Sequence, residues 1–140
     1  MKRSKRAMNA FVLVIGMASI QAMAATHSTT IKVSLAGDSI QLSSSAVKAG
    51  RVTFEVSNSS PGMAHEMVVL KTESAEDNLP MKPGDRVDEA SLRKVGEVED
   101  VKSGKKKIIK LKLDPGRYIL ICNVPGHYKN GMHATLTVEK

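Results

Sequence analysis

The stretch Gly116-Arg-Tyr-Ile-Leu-Ile-Cys122-Asn-Val-Pro-Gly-His127-Tyr-Lys-Asn-Gly-Met132 runs from an apolar strand into a loop that carries three candidate metal ligands. Cys122 is the only cysteine of the chain, so it has no intramolecular disulfide partner. A thiolate, an imidazole and a thioether at this spacing form a soft sulfur–nitrogen set, which suits copper in both of its oxidation states. An inert buried cysteine is the alternative, but His127 and Met132 nearby favour a metal site.

Short β-strands are predicted on both sides of this stretch. Apolar and polar residues alternate at 31–35, 52–56, 109–113 and 134–138, and turn-forming residues separate these segments. Tyr118 stands two residues after Gly116, a position from which a tyrosine hydroxyl often fixes a corner of a Greek-key sandwich. A tyrosine at the edge of an apolar strand would give the same pattern. The sequence predicts an all-β fold, a Greek-key β-sandwich.

Residues 72–104 interrupt the alternation. This segment is charged, contains Pro80 and Pro83 among its turn formers, and has too few apolar residues for a core of its own. Residues 88–93 are compatible with one or two helical turns. We therefore expect one irregular, partly helical insertion at 72–104 rather than a second domain.

The first residues of the chain resemble an export signal. A basic start precedes an uncharged apolar run, and Ala22-Met23-Ala24 offers a cleavage site. We expect a signal peptide at 1–24 and one domain at 25–140, with a retained membrane anchor as the less favoured alternative. The signal takes four of the 21 basic residues and none of the 14 acidic ones, which reduces the net charge from +7 to +3. This modest charge and the lack of tryptophan argue against nucleic-acid binding.

A fourth ligand is expected from His65, which lies at the junction of a loop and the apolar run that follows it. His65 followed by Cys122-x4-His127-x4-Met132, in a chain of predicted strands, resembles the blue-copper proteins, or cupredoxins, of the azurin, plastocyanin and auracyanin kind. The resemblance implies one mononuclear copper ion, with His65, Cys122 and His127 as strong ligands and Met132 as a long axial ligand. It also implies that His127 lies near the surface as the exit for electrons.

The same resemblance implies a function. It predicts a carrier of single electrons for redox partner proteins, and the export signal places this carrier in the periplasm without membrane insertion after cleavage. We expect it to act as a monomer. The sequence departs from the best-known members at Glu66, where they commonly have an asparagine that ties the ligand loops together. Asn123 is a candidate for a substitute amide beside the site.

Three other functions use some of the same residues. A copper-tolerance or copper-carrier protein, which sequesters or delivers periplasmic copper, uses the same four ligands. A copper enzyme is disfavoured, because it needs further coppers and the chain has four histidines. A zinc site fits poorly, since structural zinc usually recruits paired cysteines.

Several weaker signals bear on copper handling or docking. If cleavage follows Ala24, Ala25-Thr26-His27 forms an amino-terminal motif that suits Cu(II). Met63 and Met81 are candidates for a soft Cu(I) surface, whereas Met67 is expected in the core. His133 is expected to point away from Met132. The remaining signal is a set of lysines that protects an exposed strand edge or, less favoured, docks an acidic partner: Lys105, Lys106, Lys107, Lys110 and Lys112.

Overall fold

Two β-sheets face each other across one apolar core in the structure, a computed structural model that describes residues 28–140. The predicted signal peptide and the Ala25-Thr26-His27 motif lie outside the described residues. Eleven strands are present among residues 28–140: β1 Ser28–Ala36, β2 Ser39–Leu42, β3 Ala46–Lys48, β4 Gly50–Asn58, β5 His65–Lys71, β6 Met81–Lys82, β7 Arg86–Val87, β8 Arg93–Val101, β9 Lys106–Leu113, β10 Gly116–Ile121 and β11 His133–Glu139.

The strands form a four-stranded sheet in the order β2-β1-β4-β9 and a five-stranded sheet in the order β3-β11-β10-β5-β8. Ile31, Val33, Phe54 and Leu136 are fully or almost fully buried between the sheets, as the alternating pattern predicts. The hydroxyl of Tyr118 donates a hydrogen bond to the Asp114 carbonyl at 2.8 Å. Of the two interpretations of Tyr118, the tyrosine corner is therefore the one present. The two sheets confirm the all-β prediction.

The expected partly helical insertion at 72–104 is wrong. Its only helical element among the described residues is a 3-10 turn at Glu89–Ser91, and its last third is the nine-residue strand β8. A β-bulge hid this strand from the sequence pattern. His65 pairs with Val101 and Met67 with Val98, so one residue of β5 between these pairs opposes two residues of β8, and the period of two is lost.

The first part of the same segment covers the outer face of the five-stranded sheet. Leu79 and Val87 pack with Tyr128 over side chains that β5 and β10 direct away from the main core. Strands that are buried on both faces need apolar residues at successive positions. This second apolar cluster explains why β5 and β10 are apolar at successive positions instead of alternating. Four residues of these strands belong to it: Val68, Leu70, Ile119 and Ile121.

Candidate metal centre

Three neighbouring strands of the five-stranded sheet place the predicted ligands at one end of the sandwich. His65 is the first residue of β5, and Cys122 follows directly after β10. These two strands pair antiparallel, so the start of one lies beside the end of the other. Met132 immediately precedes β11, which pairs with the other side of β10.

The loop between Cys122 and Met132 closes on itself through its backbone. The Cys122 amide donates to the Met132 carbonyl at 3.0 Å, and the Met132 amide donates to the His127 carbonyl at 3.1 Å. Gly126 turns the chain with a φ of 83°, a left-handed conformation that glycine adopts without a Cβ clash. The turn at Pro125-Gly126 thus lets the chain reverse, so that the two ends of the loop meet.

The thiol and both imidazoles converge. The ligand atoms of His65, Cys122 and His127 all lie within 4.8 Å of one another. Cys122 Sγ is 3.7 Å from Nδ1 of His65 and 3.4 Å from Nδ1 of His127, and the two Nδ1 atoms are 3.2 Å apart. Met132 is fully buried and shares the main core cluster with Cys122.

The surroundings of these donors suit a soft metal ion. Burial raises the pKa of the Cys122 thiol, while the Glu66 amide donates to Sγ at 3.5 Å and opposes that rise. Burial also lowers the pKa of His65, and the neighbouring His127 lowers it further. A neutral imidazole keeps a lone pair for a metal, so these three donors fit copper.

One contact to His65 was missed by the sequence interpretation. Nε2 of His65 lies 2.8 Å from the hydroxyl of Ser60, a buried residue in the loop after β4. The Gly37 amide, in the turn between β1 and β2, donates to the same hydroxyl at 2.8 Å. No sequence motif marks Ser60, because loop serines are common and the contact depends on how distant turns pack.

The Asn123 side chain bonds to the segment before β8 and not to the loop that precedes His65. These bonds therefore do not replace the asparagine link between ligand loops, the role for which the sequence made Asn123 a candidate. Its side chain accepts from the Val87 amide at 2.7 Å and donates to the Val87 carbonyl at 3.1 Å. Arg86 donates from Nε to the Asn123 carbonyl at 2.9 Å and lies 3.8 Å from the Glu66 carboxylate. Burial raises the pKa of Glu66, and Arg86 opposes that rise.

Tyr128 fastens the other side of the ligand loop to the same segment. Its hydroxyl accepts from the Leu79 amide at 2.9 Å and donates to the Glu76 carbonyl at 2.8 Å. The Gly126 amide donates to the Asp85 carbonyl at 2.9 Å. The segment between β5 and β8 therefore holds the ligand loop from outside, a role that its composition did not reveal.

The weaker candidates lie outside the donor cluster. Met67 is fully buried in the main core, as predicted, whereas Met63 and Met81 are 47% and 37% exposed. Nδ1 of His133 lies 3.6 Å from the Glu76 carboxylate, so its ring faces a carboxylate instead of the thiol. The lysines of 105–112 lie on or beside β9, which is an edge strand of the four-stranded sheet, as the edge-protection interpretation requires.

Comparison with known proteins agrees with this architecture. A family model described as a cupredoxin-like domain matches residues 9–138. Auracyanin from Roseiflexus castenholzii is 24% identical, covers 80% of this chain and 98% of its own length, and superposes with a TM-score of 0.58. Auracyanin A, a blue copper protein from Chloroflexus aurantiacus, is 20% identical; the match covers 81% of this chain and 100% of that chain, with a TM-score of 0.59. Rusticyanin from Thiobacillus ferrooxidans is 15% identical; the match covers 80% of this chain and 77% of that chain, with a TM-score of 0.61.

No curated protein sequence matches the chain significantly. The identities to the solved structures are low enough that these likenesses establish the fold alone. The family model, by contrast, spans most of the chain, and cupredoxins bind one copper ion, which confirms the cofactor expected from the sequence. The chain therefore belongs to the cupredoxin family of blue-copper proteins.

Proposed function

We propose that this protein is a periplasmic carrier of single electrons that uses one copper ion held by His65, Cys122, His127 and Met132. The observation that carries the proposal is the convergence of a buried thiol and two imidazole nitrogens within 4.8 Å at one end of a β-sandwich. The ion supplies the chemistry when bound, by alternating between Cu(I) and Cu(II).

The protein contributes a fixed and largely dry set of donors. His65, Cys122 and Met132 are buried, whereas His127 is only half-buried and offers the route to the surface. Thiolate, imidazole and thioether donors are acceptable to both oxidation states. Because the ligand loop is bonded to the segment before β8, the donors need to move little when the charge of the site changes.

We further propose that residues 1–24 direct export and are removed, and that residues 25–140 act as a monomer in the periplasm. Within residues 28–140, the structure has no helix of the length and apolarity required to cross a membrane. Partners are redox proteins that approach the exposed edge of His127. We propose no catalysis, because the site uses two of only four histidines.

A copper-tolerance function is the second candidate. The exposure of Met63 and Met81 favours it, since soft thioethers at the surface can receive Cu(I) before it reaches the buried donors. The same four ligands would then store or deliver copper instead of exchanging electrons.

Growth of a deletion strain separates the two functions. The carrier proposal predicts impaired growth under respiratory conditions that require a periplasmic electron carrier, with normal growth in excess copper. A strain that expresses the Cys122→Ser variant is the matched control and should behave like the deletion. Copper sensitivity with intact respiration would contradict the carrier proposal and support copper tolerance.

A further inference from the structure

The Ser60 hydroxyl occupies an unusual place beside the donor cluster. It is the polar group that faces Nε2 of His65, at 2.8 Å, on the side of the ring away from Cys122. Ser60 is only 4% exposed, so this hydrogen bond is shielded from water. We propose that Ser60 is a positioning residue for His65, which sets both the tautomer and the orientation of its ring.

The position of the hydroxyl is itself determined by two further bonds. The Gly37 amide donates to Oγ at 2.8 Å, and the Ser60 amide donates to Oδ1 of Asn58 at 2.8 Å. Asn58 is also buried, and its Nδ2 donates to the carbonyls of Met63 and Val101 at 2.7 and 2.8 Å. Ser60 is thus fastened to the turn between β1 and β2 and to the end of β8, which leaves its oxygen little freedom.

The chemistry follows from the two nitrogens of the ring. His65 faces Cys122 and His127 through Nδ1, so a metal in the cluster requires a free lone pair on Nδ1 and a proton on Nε2. When Nδ1 faces a metal and Nε2 carries the proton, Ser60 Oγ accepts the Nε2–H hydrogen bond on the lone pair that the Gly37 amide leaves free. The Gly37 amide, in the turn between β1 and β2, donates to the same oxygen. Ser60 therefore connects this turn of the four-stranded sheet to His65 at the start of β5 in the five-stranded sheet.

The first test measures the tautomer of His65 in the metal-free protein, by nitrogen-15 NMR of the imidazole. We expect the Nε2–H form to predominate in the wild type and in Ser60→Thr, which keeps a hydroxyl. Ser60→Ala should mix the two forms. The matched control is Ser57→Ala, which removes a hydroxyl that donates to the Val33 carbonyl, and it should leave the tautomer unchanged. Equal tautomer populations in wild type and Ser60→Ala would overturn the proposal.

The second test measures copper affinity and the visible spectrum of the Cu(II) form, and it rests on the proposed copper site. Loss of a partner that orients a ligand weakens metal binding by about 10- to 100-fold. We expect a loss of that size in Ser60→Ala, with a changed spectrum, and recovery in Ser60→Thr. An unchanged affinity in Ser60→Ala, or an equal loss in Ser57→Ala, would overturn the proposal. If the wild type bound no copper, the proposed function would fail, while the tautomer measurement would still decide the role of Ser60.

Discussion

Cys122 has a buried thiol that must lose its proton to bind a metal. Burial raises the pKa of the thiol, so the metal-free protein keeps that proton at neutral pH. Burial lowers the pKa of His65, whose imidazole is therefore already neutral there. Copper binding then releases the Cys122 proton, so the apparent copper affinity should rise with pH around neutrality. Competition titrations against a chelator of known affinity measure this rise, and an affinity independent of pH would contradict a thiolate ligand.

Met132 and Met67 provide a matched pair of buried methionines. Both are fully buried in the main core cluster, but only Met132 belongs to the ligand loop. We expect Met132→Leu to keep copper and to raise the reduction potential, because loss of an axial donor destabilises Cu(II) more than Cu(I). Met67→Leu should leave the potential unchanged, since the two side chains have similar volume. Redox titration measures both reduction potentials. Equal values in Met132→Leu and Met67→Leu would show that Met132 is not a copper ligand.

The sequence singled out three residues whose donor atoms the structure brings together, His65, Cys122 and His127, but it gave no indication of Ser60. The spacing of Cys122, His127 and Met132 within one loop indicates a set of metal ligands. His65 is a candidate because it lies at a junction between a loop and a strand. Ser60 has no such signal. Its hydroxyl meets His65 only because the turn between β1 and β2 and the loop after β4 pack together, which is a tertiary event.

At the scale of elements, the segment between β5 and β8 supports the ligand loop through Tyr128. The Tyr128 hydroxyl bonds to two backbone groups of that segment, whereas the Tyr118 hydroxyl bonds to the Asp114 carbonyl far from the loop. Tyr128→Phe should lower the free energy of unfolding by about 1–3 kcal/mol, since it leaves a buried amide unpaired. Denaturant titration measures this loss.

Tyr118→Phe serves as the control for that prediction. It should also destabilise the fold, by about 1 kcal/mol, because one hydrogen bond is lost. Of these two variants, only Tyr128→Phe should weaken copper binding, because Tyr128 bonds the ligand loop to the segment before β8 and Tyr118 does not. Equal copper affinities in the two variants would show that the segment packs against the loop without supporting it.

Most strands were predictable, and the exception has a specific cause. The alternation in β1, β4 and β11 matches their burial because one face of each strand meets the core. In β8, Val98 and Val101 are both buried although two residues separate them, since the bulge opposite His65 and Met67 shifts the register. A period-two pattern cannot detect a strand with an inserted residue. Charged residues at an edge further weakened its signal.

At the scale of the whole molecule, β9 exposes an unpaired edge that its lysines protect. Ile108 is 63% exposed on this strand, and the residues two positions before and after it, on the same face, are Lys106 and Lys110. Replacement of Lys110 and Lys112 by threonine should increase self-association, because it removes charge from an edge of high β-propensity. Sedimentation velocity measures the effect. The double variant Lys102→Thr/Lys129→Thr makes the same charge change in turns, and an equal increase there would attribute the association to net charge instead of the edge.

The copper centre requires that one thiolate and two imidazoles from separate parts of the chain bind a single ion. X-ray absorption at the copper edge tests this requirement on protein loaded with one equivalent of copper. We expect one short copper–sulfur and two short copper–nitrogen distances, and loss of the short sulfur contribution in Cys122→Ser, where Met132 can supply only a long one. A wild-type copper environment of oxygen and nitrogen alone, or a short sulfur contribution that persists in Cys122→Ser, would contradict the site formed by His65, Cys122 and His127.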